Sequence, residues 1–199
     1  MTGLLVKIKH NCPAVWRMVE YINGKLMHLR YPTITEKALE TLSEVNHPKF
    51  TWSIVEHTDI QSLSEFLTSI PSEKLKYFNP HPFDVDTLSS MLSSHSFLMI
   101  KVTHEDRIVG YHFLRCFFIG KAFHGLIVDD NFGGQGIGTE MWRIASEISH
   151  KCGVRMLATI SENNIPSLSS CRKGCHAIVT EHLPDGYLLI NCTPHIINR

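Results

Sequence analysis

The 199-residue sequence predicts an α/β fold of the α+β type, with a mixed, mostly antiparallel central sheet, flanking helices and one parallel crossover. Three observations lead to this prediction. Residues 97–103 and 107–118 form two apolar runs joined by a short polar turn, which is typical of a β-hairpin. Residues 124–160 pass from a strand through a glycine-rich turn into a helix and a second strand, as a parallel crossover requires. A last strand pair, residues 177–180 and 187–191, closes the sheet around a Pro-Asp-Gly turn.

The first 49 residues differ in pattern from the rest, so we predict an N-terminal arm (residues 1–49) followed by one domain (residues 50–199). The arm begins with a short strand, residues 4–9, and continues as a helix. The apolar positions of that helix recur at steps of four and three and are Val15, Val19, Ile22, Leu26 and Leu29. Five Lys and Arg residues precede residue 31, against the single acid Glu20. Such a basic amphipathic helix suits an anionic membrane surface, a second copy of the chain in a homodimer, or the helix's own domain.

The domain opens with a strand over residues 50–57 and a helix through residue 70, which Thr58 or Asp59 caps. The inner face of this helix is formed by apolar residues at helical spacing: Ile60, Leu63, Phe66 and Leu67. A proline-rich loop and a short helix, residues 84–93, lead to the hairpin. The later elements are a helix over residues 138–151 with its stop at Gly153, a buried strand (154–160) and a short helix (164–174).

The composition excludes several classes of protein. Net charge is zero and the isoelectric point is about 7.2, so no charge excess favours a nucleic-acid partner. No apolar run approaches the roughly 20 residues that span a bilayer. The N-terminus lacks the long apolar region of a secretory signal, and the six cysteines show no paired framework. We therefore expect a protein of the reducing cytoplasm.

The cysteines also bear on metal binding. The spacing Cys171-x-x-x-Cys175-His176 is compatible with a metal site, but no second ligand pair follows at zinc-finger spacing. The sequence by itself therefore predicts no metal site.

The glycine-rich turn carries the strongest functional signal. Gly133, Gly134, Gly136 and Gly138 lie between a strand and a helix, where backbone N–H groups and the positive end of the helix dipole can bind an anion such as a pyrophosphate. A Walker loop would need a lysine after Gly138, but Thr139 follows it. A dinucleotide-binding G-x-G-x-x-G motif would place its third glycine on Thr139, and it would open a parallel sheet near the N-terminus.

The remaining pattern, G-x-x-G-x-G at residues 133–138, resembles the acetyl-CoA loop of the GCN5-related N-acetyltransferase (GNAT) family. The resemblance covers roughly residues 50–191. It includes a preceding fourth strand, an asparagine with a small residue three positions later (Asn164 and Ser167), and a Lys-Gly pair at residues 173–174. It implies a GNAT fold with acetyl-CoA as co-substrate. The implied cofactor-binding residues are Leu126, Ile127, Val128, Gly133, Gly134, Gln135, Gly136, Ile137, Gly138, Thr139, Asn164 and Ser167.

The resemblance also implies a reaction, in which a primary amine attacks the thioester of acetyl-CoA. A backbone N–H near Ile127 or Val128 would polarise the carbonyl, and alignment of the two reactants would supply most of the rate gain. Two positions depart from the family pattern. Gly133 replaces an Arg or Gln, and Cys171 replaces a tyrosine that protonates the departing thiolate, so a thiol or a water would take that role.

The sequence motifs that point to an acceptor site are less specific than those of the cofactor loop. His124 and His112 are the candidate bases, since imidazole titrates near neutrality. The loop residues Tyr77, Phe78, Asn79 and His81 are the candidate acceptor site, where the family binds its amine. We expect a small-molecule amine acceptor, for instance an amino-sugar. Two alternatives remain open at this point: a non-catalytic acyl-CoA-binding domain, and an acetyltransferase acting on protein N-termini or lysines.

Overall fold

The computed structural model describes residues 13–195, and their side chains from residue 18 onward. The predicted strand over residues 4–9 and the side chain of Val15 lie outside this part of the chain. Within residues 13–195, no helix is both long enough and apolar enough to cross a membrane. The predicted boundary between arm and domain at residue 49 stays a prediction.

A seven-stranded mixed sheet, in the order β1-β2-β3-β4-β5-β7-β6, forms the centre of the fold. Its strands are β1 Thr51–Ile54, β2 Phe97–His104, β3 Arg107–Phe117, β4 Lys121–Val128, β5 Arg155–Ser161, β6 His176–Leu183 and β7 Tyr187–Thr193. The pair β4–β5 is parallel and the other neighbouring pairs of this sheet are antiparallel. The predicted fold class is therefore confirmed, including the single parallel crossover.

Helices cover both faces of the sheet. They are α1 Pro13–Arg30, α2 Ile34–Ser43, α3 Ile60–Ser69, α4 Ser72–Leu75, α5 Val85–Leu92, α6 Ile137–Lys151 and α7 Ile165–Gly174. One core cluster joins α1, α2, α6 and α7 to one face, with Met27, Leu42, Met141 and Ile148 among its members. A second cluster joins α3 and α5 to the opposite face. The four apolar residues predicted for the inner side of α3 are all buried there, which agrees with their helical spacing.

The end of β1 and the presence of helix α2 both depart from the sequence prediction. Strand β1 ends at Ile54 rather than at residue 57, because the backbone turns into a short 3₁₀ segment in which the Asp59 carboxylate accepts a hydrogen bond from the Glu56 N–H (2.8 Å). Helix α2 was not predicted. It is short and lies between two proline-containing breaks, and burial of Ala38 and Leu42 against the main core holds it in place.

The predicted helix α1 is present, but its predicted apolar face is not the side that packs against the domain. Val19, Ile22, Leu26 and Leu29 are exposed to between 40 and 82 %. The buried positions are Asn23, Gly24 and Met27 instead, so the contact with the domain lies on another side of the helix.

A buried amide explains this orientation of α1. The Asn23 Nδ2 donates to Ser96 Oγ (3.0 Å) and to the Cys116 carbonyl (2.9 Å), and its Oδ1 accepts from the Phe118 N–H (3.1 Å). The helix thereby supplies hydrogen bonds to backbone groups at the end of β3. Hydrophobic periodicity does not register such a polar contact, so the apolar pattern could not show which side of α1 docks on the domain.

Candidate active site

The site is built around the parallel pair β4–β5, which separates along its length. The two strands pair only at their first residues, Lys121 to Phe123 against Arg155 to Leu157. From His124 onward β4 keeps its antiparallel partner β3 but has no paired residue on β5. A gap therefore opens between the carboxyl ends of two adjacent strands.

The glycine-rich turn lies directly beyond this gap. Gly134 and Gly136 have positive φ angles of 74° and 86°, a conformation that side chains with a Cβ rarely adopt. Gly136 is the N-cap of α6, and no side chain caps the helix, so the first N–H groups of α6 lack intrahelical partners. A Cβ built on Gly134 or Gly136 would meet no atom within 4 Å, so both glycines border open space. Unpaired amides beside open space fit an anionic group such as the pyrophosphate of CoA.

A cavity of about 820 Å³ follows the gap and the turn. Eleven of the twelve residues predicted to bind the cofactor line it: Leu126, Ile127, Val128, Gly133, Gly134, Gly136, Ile137, Gly138, Thr139, Asn164 and Ser167. Gln135 does not line it and is exposed on the outer side of the turn.

Asn164 lines this cavity and also caps a helix. It is the N-cap of α7, and its Oδ1 accepts a hydrogen bond from the Ser167 N–H at 3.2 Å. The spacing of these two residues is thus that of a helix cap as well as that of the family motif.

Several lining residues were not predicted. Lys74 donates to the Val128 carbonyl (2.5 Å) and pairs with Asp130, which ties the proline-rich loop to the end of β4. Lys76 and Lys173 add two further cations to the lining, and Ser170 and Thr159 add hydroxyl groups. The sequence offered a signal for Lys173 only, through the Lys-Gly pair of the family motif.

Cys171 lies elsewhere, and this placement corrects the expected role of its thiol. It is fully buried and does not line the cavity. Its sulfur lies 3.8 Å from that of Cys175 and 3.9 Å from that of Cys192. Position 171 of α7 therefore faces β7 and the core rather than the cavity.

The two predicted histidines lie together, on the neighbouring strands β3 and β4. Nδ1 of His112 is 3.2 Å from Nε2 of His124, and both residues are buried. Burial lowers the pKa of His112 to about 3. Burial, and then the charge of His112, hold the pKa of His124 well below its usual range. Both imidazoles are therefore neutral at physiological pH, and the ring of His124 also stacks edge-on against Trp142, with ring centroids 4.4 Å apart.

A second cavity, of about 1250 Å³, lies on the other side of His124. The four predicted acceptor residues line it: Tyr77, Phe78, Asn79 and His81. Helix α1 contributes Glu20, Tyr21, Gly24 and Lys25, which sequence reasoning did not place at any site. Six residues line both cavities and mark where they meet: Lys76, Tyr77, Phe78, His124, Gly125 and Thr159.

Among the four predicted acceptor residues, two also have packing roles. Phe78 is buried in the second core cluster against Tyr111 and Phe113. His81 lies near the Pro82 carbonyl (Nδ1 to O, 2.7 Å), and burial lowers its pKa. The rings of Phe78 and His81 therefore form part of the cavity wall.

With this fold and site, the chain belongs to the acetyltransferase (GNAT) family, whose model matches residues 61–176, more than half of its length. A comparison with curated protein sequences found no match. Solved structures share the fold. The GNAT domain of PAT from S. lividans is 12 % identical, with a TM-score of 0.61 over 70 % of this chain and 88 % of that one.

Two further structures show how varied the relatives of this fold are. The aminoglycoside acetyltransferase AAC(6')-Ib, solved with coenzyme A and kanamycin, is 17 % identical, with a TM-score of 0.57 over 73 % of this chain and 95 % of that one. RimL, a ribosomal alpha-N-protein acetyltransferase solved with coenzyme A, is 13 % identical, with a TM-score of 0.59 over 73 % of this chain and 93 % of that one. At these identities the likeness establishes the fold and leaves the acceptor undefined.

Proposed function

We propose that this protein transfers the acetyl group of acetyl-CoA to the primary amine of a small molecule. The observation that carries the proposal is the meeting of two cavities at His124 and Gly125. One cavity contains the glycine-rich turn and fits the donor, and the other is walled by aromatic side chains and fits an acceptor. Two reactants bound in this way would meet in the gap between β4 and β5.

The donor side is assigned to the cavity lined by the amides of α6. Acetyl-CoA, when bound, supplies an acetyl group already activated as a thioester. The N–H groups of Ile137, Gly138 and Thr139 would hold its pyrophosphate, and Lys173 lies on the same cavity wall. The separated end of β4, around Ile127, would direct backbone N–H groups toward the thioester carbonyl.

His124 is the residue we propose to take the proton from the amine. It lines both cavities, and burial lowers its pKa, so that its imidazole is neutral before the amine binds. His112, in hydrogen-bonding distance behind it, would fix the tautomer and orientation of its ring. Since Cys171 does not reach the cavity, we assign protonation of the departing thiolate to water, consistent with the modest basicity of a thiolate.

The charged residues that line the second cavity narrow the range of acceptors that it could bind. Of the described residues that line it, Glu20 and Asp86 are the two acids, and Glu20 is ion-paired with Arg115. A polycation such as an aminoglycoside with several amines would be poorly neutralised there. The aromatic walls, which include Tyr21, Tyr77 and Phe123, favour a flat or sugar-like body carrying one amine.

The direct test is acetyl-CoA turnover, followed by release of the free thiol, over a panel of amines. The panel contains a mono-amino-sugar, an arylalkylamine, a polycationic aminoglycoside and a peptide with a free N-terminus. We expect turnover with the first or second compound and little with the third. Tight acetyl-CoA binding without turnover on any amine would instead identify a non-catalytic acyl-CoA-binding domain, and turnover on the peptide alone would identify a protein acetyltransferase.

A further inference from the structure

Three cysteine sulfurs meet on the side of α7 that faces away from the donor cavity. Cys171 and Cys175 lie one turn apart on and just after α7, and Cys192 comes from β7. All three residues are buried, with exposed fractions of 0, 0 and 3 %. The three sulfur atoms lie within 4.8 Å of one another. The chain thus brings together ligands that are 21 residues apart, which spacing alone did not reveal.

The distances match those of a thiolate metal site. Sulfurs held about 2.3 Å from a tetrahedral zinc ion are roughly 3.8 Å apart along each edge of the tetrahedron. The Cys171 sulfur lies 3.8 Å from Cys175 and 3.9 Å from Cys192. An ion could therefore enter with small side-chain adjustments and little movement of α7 or β7.

From this cluster we infer that the protein binds one Zn²⁺ ion through the sulfurs of Cys171, Cys175 and Cys192. Binding forms three Zn–S bonds, and three thiol protons leave to solvent. The ion would join α7 to β7 and so support the wall of the donor cavity that α7 forms.

The site is tested on the full chain, purified reduced and metal-free, by titration with Zn²⁺ and with Co²⁺. We expect one ion per chain, a thiolate-to-Co²⁺ charge-transfer band in the near ultraviolet, and a rise in Tm of about 4 °C or more at saturating Zn²⁺. Cys171→Ser and Cys192→Ser should abolish the band.

The control is Cys116→Ser, a buried cysteine of β3 that lies outside the cluster and should leave the band intact. If the cluster variants fail to fold, X-ray absorption on the wild-type zinc protein measures the number of sulfur ligands. We expect three. Absence of one-to-one binding, a band that persists in Cys192→Ser, or a wild-type shell with fewer than three sulfurs would each refute the site. None of these outcomes bears on acetyl transfer, because the ligands lie outside both cavities.

Discussion

At the scale of single residues, the buried pair of His112 and His124 is the feature with the greatest consequence. Nε2 of His112 and Nδ1 of His124 have no hydrogen-bond partner in the structure although both are buried. Of the two residues, His124 lines both cavities and His112 lines neither. The predicted histidine candidates are therefore found in one place, although their catalytic role remains a proposal.

His124→Gln should lower kcat by about 100-fold or more, because glutamine keeps a hydrogen-bonding side chain but cannot accept the proton. Acetyl-CoA affinity, measured by calorimetry, should stay close to that of the wild type. His182→Gln, at an exposed position on β6 outside both cavities, is the matched control. A variant at His124 with wild-type kcat would remove this residue from the mechanism.

The pair also predicts how stability depends on pH. The pKa of His112 is about 3 in the folded chain and about 6.5 when unfolded, so the unfolded state binds more protons between these values. Stability should fall as the pH falls from about 6.5 toward about 3, with up to about 1.4 kcal/mol per pH unit from this residue. Above pH 6.5 His112 is neutral in both the folded and the unfolded state, so its contribution to stability no longer changes with pH.

Urea unfolding at a series of pH values measures this dependence. His112→Asn should show a shallower slope than the wild type below pH 6.5, whatever its absolute stability. Equal slopes for the two proteins would mean that His112 is protonated in the folded state.

At the scale of elements, the strand, turn and helix around the glycines form a unit that local sequence specifies. Positive φ angles at Gly134 and Gly136, and a helix start without a side-chain cap, are direct consequences of residue type. For that reason the cofactor residues were predictable, and all except Gln135 line one cavity. The direction in which Cys171 points was not predictable, because it depends on how α7 rotates against β7.

Gly136→Asp should weaken CoA binding by about 100-fold or more, because a carboxylate would stand beside the pyrophosphate and the unpaired amides. Gly136→Asn has nearly the same shape without the charge and should lose less affinity. Isothermal titration with CoA compares the two.

The control is Gly153→Asp at the other end of α6, where φ is also positive (65°) and a Cβ would meet open space. It should bind CoA like the wild type, although it carries similar backbone strain. Equal affinity for Gly136→Asp and wild type would disprove the pyrophosphate assignment.

At the scale of the whole molecule, α1 matters because it joins the N-terminal segment to both the sheet and the acceptor cavity. Asn23 makes three hydrogen bonds to β2–β3 and the segments that flank them, and Glu20 pairs with Arg115. The side of α1 that carries Glu20 and Lys25 also closes the second cavity. Removal of this contact should therefore affect stability and acceptor binding together.

Asn23→Ala should lower the free energy of unfolding by about 2–3 kcal/mol, since it leaves the Cys116 carbonyl and the Phe118 N–H without their partner. Leu29→Ala, on the same helix but 82 % exposed, should change it by less than about 0.5 kcal/mol. Chemical denaturation measures both. If Asn23→Ala were as stable as Leu29→Ala, the docking of α1 through this amide would be wrong.

The sequence by itself determined the order of strands and helices after residue 50, the parallel crossover and the glycine turn, because each depends on periodicity, turn chemistry or residue type within a short segment. Tertiary structure decided the rest. The docked face of α1, the existence of α2, the contact between His112 and His124, and the meeting of Cys192 with Cys171 and Cys175 all join residues distant in the chain. Such contacts depend on how elements pack and rotate against one another, which no local pattern records.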